Sequence, residues 1–262
     1  MVYVLNDNKV KKALKTGDIS PGIYTSIPSP TIIELAGLAG FEWIRLDWAH
    51  APFDLFAIEH FIRAAEVHGI IPFIRLELDE QKIANVLESG VMGVIVPDIE
   101  TAADAQAVVN AVKFSPVGNR GMFSSPRKSG YGEIKGEDFK KWTNEEVMIG
   151  IQIENLQAIE NLDEILNVEG IDMILSGRGD LSNALGVPGQ RNHQLVLEAE
   201  EKIFEKALKK GRAISPQLDS TDENLNEVVK EWQEKGAKII TFGHDSSIIK
   251  HAFSKIISKI KP

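Results

Sequence analysis

The chain has 262 residues, 43% of them hydrophobic, with a formal net charge of −9 and no cysteine. That length suits a single barrel or one to two smaller domains, and the apolar fraction suits an ordinary globular core. The acidic balance argues against a nucleic-acid surface, and the lack of cysteine excludes disulfides, a thiolate nucleophile and zinc–thiolate sites. The opening MVYVLNDNKVKKALKTG lacks the apolar run and cleavage site of a signal peptide. No 18 apolar residues run uninterrupted, so no membrane span is expected and the chain reads as cytoplasmic.

In chain order, residues 6–17 read as a short entry helix and 23–27 as the first strand. Thr31 and Glu34 carry the spacing of a capping box, opening a helix over 31–39. Strand 41–47 precedes helix 54–68, strand 71–77 precedes helix 79–89, and strand 93–99 precedes helix 101–113, with a glycine after most helices. Residues 114–145 break the rhythm with five Gly, two Pro and a basic cluster, and read as a long functional or mobile segment. Residues 147–182 then read as strand, helix, strand. A helical region over 193–210, a strand over 212–218, a helix over 222–235 capped by Ser220 and Glu223, a strand over 238–243 and a helix over 246–260 complete the chain.

That gives eight strand–helix pairs, in a length close to the ~250 residues typical of a (β/α)8 TIM barrel. Alternating βα units require a parallel sheet. A doubly wound sheet would carry a Gly-rich phosphate turn after its first strand, and none is present. The expected fold is therefore one barrel domain over 1–262, whose active site lies at the carboxyl ends of the strands. Those ends carry Asp47 and His50, Arg75, Gln152 and Glu154, Asp180, Gln217 and Asp245, with Glu88 one helix later. A gathering of charge at one rim is the physical argument for an enzyme.

In the strand from 147, Ile149, Ile151 and Ile153 share one face, while Gly150, Gln152 and Glu154 share the other. Glu154 and Asp180 end neighbouring strands, and two buried carboxylates there would be stabilised by a hard divalent cation such as Mg²⁺ or Mn²⁺. Spacing leaves an alternative open, in which each acid pairs with an arginine or caps a helix. His50, three residues beyond Asp47, is a candidate general base. His60, His68, His193, His244 and His251 read as structural or solvent-facing. Arg75 would either pair with Glu154 or Asp180, or stabilise a developing oxyanion. Arg120 reads as a solvated loop residue. Arg178-Gly179-Asp180 matches a cell-adhesion tripeptide by accident.

The stretches AGFEWIRLDWAHAPFD, IPFIRLE, VLESGVMGVIVPDIETAADA, SPVGNRG and IQIENLQAIENLDEILNVEGIDMILSGRGDLS resemble the HpcH/HpaI aldolases, metal-dependent and pyruvate-specific class II enzymes of the phosphoenolpyruvate/pyruvate barrel superfamily. The resemblance runs from about residue 6 to the end. It implies that Glu154 and Asp180 ligate Mg²⁺, Mn²⁺ or Co²⁺, with Gln152 behind them. It implies that the backbone at Gly179 and Asp180 holds the carboxylate of a 2-oxo acid and that Arg75 stabilises the pyruvate enolate. His50, oriented by Asp47, would act as base through a metal-linked water, with Glu88 in the position of the acid that pairs with that histidine. The implied reaction is reversible cleavage of a 4-hydroxy-2-oxo acid to pyruvate and an aldehyde. Claisen-type condensation with acyl-CoA or decarboxylation of oxaloacetate are alternatives, as is a non-catalytic binding protein. The family also exchanges its last helix between protomers of dimers that build a hexamer. Trp48-Ala49, Glu88, Arg178 and Met122-Phe123 depart from the family pattern. They lead us to expect an added aromatic and an added positive charge at the mouth, and a more anionic or more aromatic acceptor.

Overall fold

The computed structural model describes residues 4–261; Met1–Tyr3 and Pro262, the two ends of the expected 1–262 domain and part of its N-terminal segment, lie outside the described residues. Among the described residues, nine parallel strands form one sheet: β1 (Ser20–Thr25), β2 (Trp43–Asp47), β3 (Ile71–Arg75), β4 (Gly93–Val96), β5 (Met148–Ile153), β6 (Met173–Ser176), β7 (Ala213–Ile214), β8 (Gln217–Leu218) and β9 (Ile239–His244). Their order around the sheet is β7-β6-β5-β4-β3-β2-β1-β9-β8. The two ends of that order are consecutive pieces of the stretch expected as one strand over 212–218. Ser215 N–H donates to Ile174 O on the β6 side at 3.0 Å, and Pro216 O accepts from Thr241 N–H on the β9 side at 3.0 Å. Pro216 has no N–H to continue the ladder, so the strand breaks in two. The same seven residues still close the TIM barrel.

The helices are α1 (Lys9–Thr16), α2 (Pro30–Ala39), α3 (Leu55–His68), α4 (Glu80–Ser89), α5 (Ala102–Val112), α6 (Gly136–Glu146), α7 (Leu156–Glu160), α8 (Leu162–Leu166), α9 (Arg178–Ala184), α10 (Gln194–Lys209), α11 (Leu225–Glu234) and α12 (Asp245–Ile260). Two caps differ from expectation. Helix α2 starts at Pro30 after Ser29, because proline's fixed φ suits the first helical position, so Thr31 lies inside the helix. The capping box belongs to Thr101 and Asp104 on α5. Helix α11 begins after Asn224, leaving Ser220 and Glu223 in the preceding turn. None of the described helices is long and apolar enough to cross a membrane.

Alternation along each strand builds the interior. Trp43, Ile71 and Phe73, Ile95, Met148, Met173 and Ile239 belong to a small cluster that is distinct from the large one holding Ile44, Leu46, Ile74, Ile149, Ile151, Ile153 and the inner faces of the helices. The small cluster fills the floor of the barrel. Gly93 makes room for it, since a Cβ there would stand 2.5 Å from the Phe73 ring. Above that floor the same inward positions become Arg45 and Asp47, Arg75, Gln152 and Glu154.

Segment 114–145 carries secondary structure of its own. It holds a 3-10 turn at Arg127–Ser129 and helix α6, and it is pinned at the amino ends of the strands. Lys113 Nζ donates to Asn144 O at 2.9 Å, Arg127 Nη1 to Ser89 O at 2.7 Å, and Trp142 Nε1 to Asn6 O at 3.3 Å. Its helix was illegible because it carries only two large apolar side chains, Phe139 and Trp142, too few to show a helical period.

At the seam between β1 and β9, Asp245 Oδ2 accepts from Ser26 N–H at 3.0 Å and Ile27 N–H at 2.9 Å, and from the Thr25 hydroxyl. Burial alone would raise this carboxyl, but those bonds and His244 hold it down to about 2. A depressed carboxylate contributes stability above its unfolded value and loses it as pH falls toward the folded one. Asp245→Asn should therefore cost about 1–2 kcal/mol near pH 7. Denaturant titrations of the two proteins should converge as pH falls from about 4 to about 2.

Candidate active site

Six strand ends, those of β1 to β6, supply the site. Asp47 and Arg75 are in-register partners on β2 and β3. Parallel strands lie ~4.8 Å apart, so same-face neighbours meet. Both are buried, at 2% and 5% exposure, and Arg75 Nη1 stands 3.4 Å from Asp47 Oδ1. Tyr24, near the end of β1, donates its hydroxyl to Asp47 Oδ2 and accepts from Arg75 Nη1 at 3.3 Å. Burial lowers the pKa of the guanidinium, but Tyr24, Asp47 and Glu154 together raise it above its ordinary value. Arg75 is a fixed cation in a site screened from water.

Glu154 follows β5 and is 3% exposed. Its Oε1 accepts from Asp98 N–H at 3.1 Å, and its Oε2 accepts from Gln152 Nε2. Asp98 follows Pro97 with φ 55, a left-handed conformation that aspartate tolerates better than most residues, and that turn aims its N–H at Glu154. Burial pushes the Glu154 carboxyl up to about 7; Asp98 N–H and Arg75 pull it down, while Asp180 and the Asp98 carboxylate push it up. Asp180 is exposed in the first turn of α9, at the third helical position rather than at the N-cap, which is Gly177. An acid there is favoured by the helix dipole. Gln152 Oε1 is buried with no partner among the described residues.

These observations test the metal expectation. A buried carboxylate raised by its own burial and by a second acid, beside an orphaned amide oxygen, is a donor set that a hard divalent cation would satisfy. Gly177 keeps that space open, because a Cβ there would collide with Glu154 Oε2 and stand 2.6 Å from Gln152 Nε2. Among the described residues, no group of three or more His, Asp or Glu side chains is gathered for a metal. A cation held by two carboxylates and an amide would keep coordination positions for water and substrate.

The remaining expected residues are placed differently. His50 is exposed in the turn after β2. Both oxygens of Asp47 are taken by Tyr24 and Arg75, so the structure does not bring Asp47 to His50. Glu88 lies in the last turn of α4, a helix that descends from the rim. At 1.5 Å per residue it stands about 12 Å below the rim on its own chain. There it faces Arg120 rather than His50, with its carboxyl raised by burial and lowered by that guanidinium. Arg120 is 8% exposed, not solvated; its Cζ sits 4.7 Å over the Phe114 ring, and burial pushes it down to about 10.

One further expectation at the mouth is corrected. Arg178 does not add charge there: its Nε donates to Glu200 Oε2 at 2.9 Å and its Nη1 to Asn192 Oδ1 at 3.2 Å, and Glu200 is 2% exposed. A buried carboxylate outcompetes open solvent for that cation. Trp48, the added aromatic, is partly buried: its indole N–H donates back to Phe53 O at 2.8 Å and its ring packs on the large core. Gly179 lies in α9 beside Arg191, whose Nη2 would be 3.6 Å from a Cβ at that glycine.

Sequence reasoning missed Tyr24, Arg45, Asp98 and Gly177. Arg45 had a visible signal, a charge inside an apolar strand in phase with Asp47. It is 5% exposed, lies 3.9 Å from the Tyr24 ring centroid, and its Nη2 donates to Gln217 Oε1 at 3.1 Å.

A parallel (β/α)8 barrel with a buried arginine coupled to Glu154 at the carboxyl ends of its strands has the placement of an enzyme site. The family model described as HpcH/HpaI aldolase/citrate lyase matches residues 21–252, and the chain belongs to that family. It is 31% identical over 256 residues to a hydroxypyruvate/pyruvate aldolase of Pseudomonas aeruginosa, covering 97% of this chain and 93% of the relative. It is 31% identical over 255 residues to a 5-keto-4-deoxy-D-glucarate aldolase of Shigella boydii serotype 18, covering 97% and 96%. The crystal structure of the citrate synthase SbnG superposes with a TM-score of 0.86 at 29% identity, covering 96% of each chain. The family's aldolases depend on a divalent metal.

Replacing Gly177 by Ala should displace Glu154 and Gln152 without unfolding the barrel. Calorimetric titration with Mn²⁺ should then show affinity at least about tenfold weaker than for the native protein, with an unchanged circular-dichroism spectrum.

Proposed function

We propose that the protein cleaves 4-hydroxy-2-oxo acids reversibly to pyruvate and an aldehyde, with Glu154 and Asp180 holding Mg²⁺, Mn²⁺ or Co²⁺ and Gln152 supporting them. The observation that carries this reading is the buried Arg75, fixed by Asp47 and Tyr24 and electrostatically coupled to Glu154. A bound divalent cation would supply Lewis-acid polarisation of the 2-oxo group. The protein's own residues do the rest. The backbone at Gly179 and Asp180 receives the substrate carboxylate. His50, free on its turn, accepts the proton of the C4 hydroxyl directly or through water. The C3–C4 bond then breaks, the aldehyde leaves, and the electron pair passes into the C2 carbonyl to give an enolate oxygen. Arg75 N–H groups hold that oxygen, and a proton returned to C3 completes pyruvate. Glu88, facing Arg120 at the far end of α4, stands outside this scheme.

A homo-oligomer is part of the proposal. Helix α12 presents Phe253, Ile256, Ile257 and Ile260 at 65%, 59%, 51% and 67% exposure, and buries only Asp245. Four large apolar groups on one helix are a surface that a second copy would cover, in keeping with exchange of this helix in a dimer-based hexamer. A second reading, condensation of an acyl-CoA with a 2-oxo acid, draws on the likeness to citrate synthase SbnG. It also draws on the second buried guanidinium, Arg45, a cation suited to an additional carboxylate.

Purified protein with Mg²⁺ should release pyruvate from 4-hydroxy-2-oxo acids in a lactate-dehydrogenase-coupled assay, and chelation should abolish the signal. Arg75→Ala should lower kcat/KM about 10²–10³-fold. Thiol release from acyl-CoA with oxaloacetate, without any aldehyde turnover, would instead select the second reading. In light scattering, Phe253→Asp with Ile257→Asp should reduce the native assembly to smaller species while retaining secondary structure.

A further inference from the structure

Arg75 and Asp47 occupy the same register on adjacent strands and point to the same face. Nothing in the backbone stops a guanidinium and a carboxylate so placed from closing into a two-pronged pair, the geometry that Arg and Asp favour. They make one contact, through Nη1 and Oδ1 at 3.4 Å. The other oxygen, Oδ2, is taken by the Tyr24 hydroxyl, which also accepts from Arg75 Nη1 at 3.3 Å. Arg75 Nε is buried with no partner among the described residues.

Tyr24 is itself held from two sides. The Arg45 guanidinium lies 3.9 Å from its ring centroid on one face, and the His244 ring meets it edge-on at 4.6 Å. Burial raises the phenol above its ordinary value, so it remains a neutral donor. His244, read from sequence as structural, thus contributes to the rim by bracing this ring.

We propose that Tyr24 is a positioning residue for Arg75: its hydroxyl occupies one oxygen of Asp47, keeps the Arg75–Asp47 pair single-pronged, and so leaves donors of the guanidinium directed at the enolate oxygen. The inference rests on the aldolase reading of this site. Without the hydroxyl, Asp47 would draw the guanidinium into a closed pair, and both the direction and the availability of its donors would change. Replacement by Phe is a clean probe, because the ring that contacts Arg45 and His244 is kept and only the oxygen is lost.

The test measures exchange of the pyruvate C3 protons with deuterated solvent by proton NMR, in the presence of Mg²⁺, a readout that needs no knowledge of the aldehyde. Tyr24→Phe should lower kcat for exchange about tenfold while KM for pyruvate changes less than about threefold. In an Arg75→Lys background, where no two-pronged pair can form, the same change should cost less than about twofold. Crystals of Tyr24→Phe should show two nitrogen–oxygen contacts between Arg75 and Asp47. Native rates in Tyr24→Phe, or an equal loss in both backgrounds, would overturn the inference. If the native protein catalyses no exchange, the aldolase reading fails. The Tyr24→Phe crystal structure then decides the positioning claim alone: a closed pair upholds it and an unchanged single contact overturns it.

Discussion

The site depends on one constraint, a cation buried inside a barrel whose floor is apolar. Arg75 cannot be hydrated where it stands, and an isolated charge in such surroundings is strongly disfavoured. Asp47 and Tyr24 supply local compensation, and Glu154 across the mouth supplies the rest. Every other feature of the rim can be read as a response to that arrangement. The Glu154 carboxyl is itself buried and raised to about 7, and it is kept in place by one backbone N–H and one amide. The pair of opposite charges is held at a distance instead of neutralising by direct contact. In the proposed reaction, a cation and an anionic substrate would sit between them.

The barrel makes this arrangement rigid. Inward positions of β2, β3 and β5 run from large apolar side chains at the bottom to polar ones at the top, and the polar layer rests on Trp43, Phe73 and Met148. Close packing below means that the functional side chains cannot sink. The seam at β7 and β8 is the weakest part of the ladder, with two residues paired on each side. The bonds from Thr25, Ser26 and Ile27 to Asp245 reinforce the neighbouring β1–β9 junction.

Charge at the mouth is also governed by competition. Arg178 and Arg120 both looked available in the sequence, one beside Asp180 and one in a glycine-rich loop. Each is sequestered, Arg178 by the buried Glu200 and Arg120 under Phe114 near Glu88. The cations that remain near the reacting centre are Arg75 and Arg45, which lie on adjacent strands with Tyr24 against both.

Alternation and glycine punctuation in the sequence determined the eight βα units, the inward phase of Gln152 and Glu154, and the presence of Asp47 and Arg75 at strand ends. These are local properties, set by the period of two in a strand and by where a helix stops. Family likeness added roles for them, together with contacts to His50 that the fold does not make. The tertiary structure decided what local pattern cannot carry: that Asp47 turns to Tyr24 and Arg75 and not to His50, that Glu88 lies at the far end of its helix, and that Arg178 is neutralised by a residue 22 positions away. Partner choice among buried charges depends on which groups the fold brings within a few ångströms and screens from water, and that is fixed only when the barrel closes. The stretch 147–182 supplied the acids of this site; closure supplied the cation that faces them.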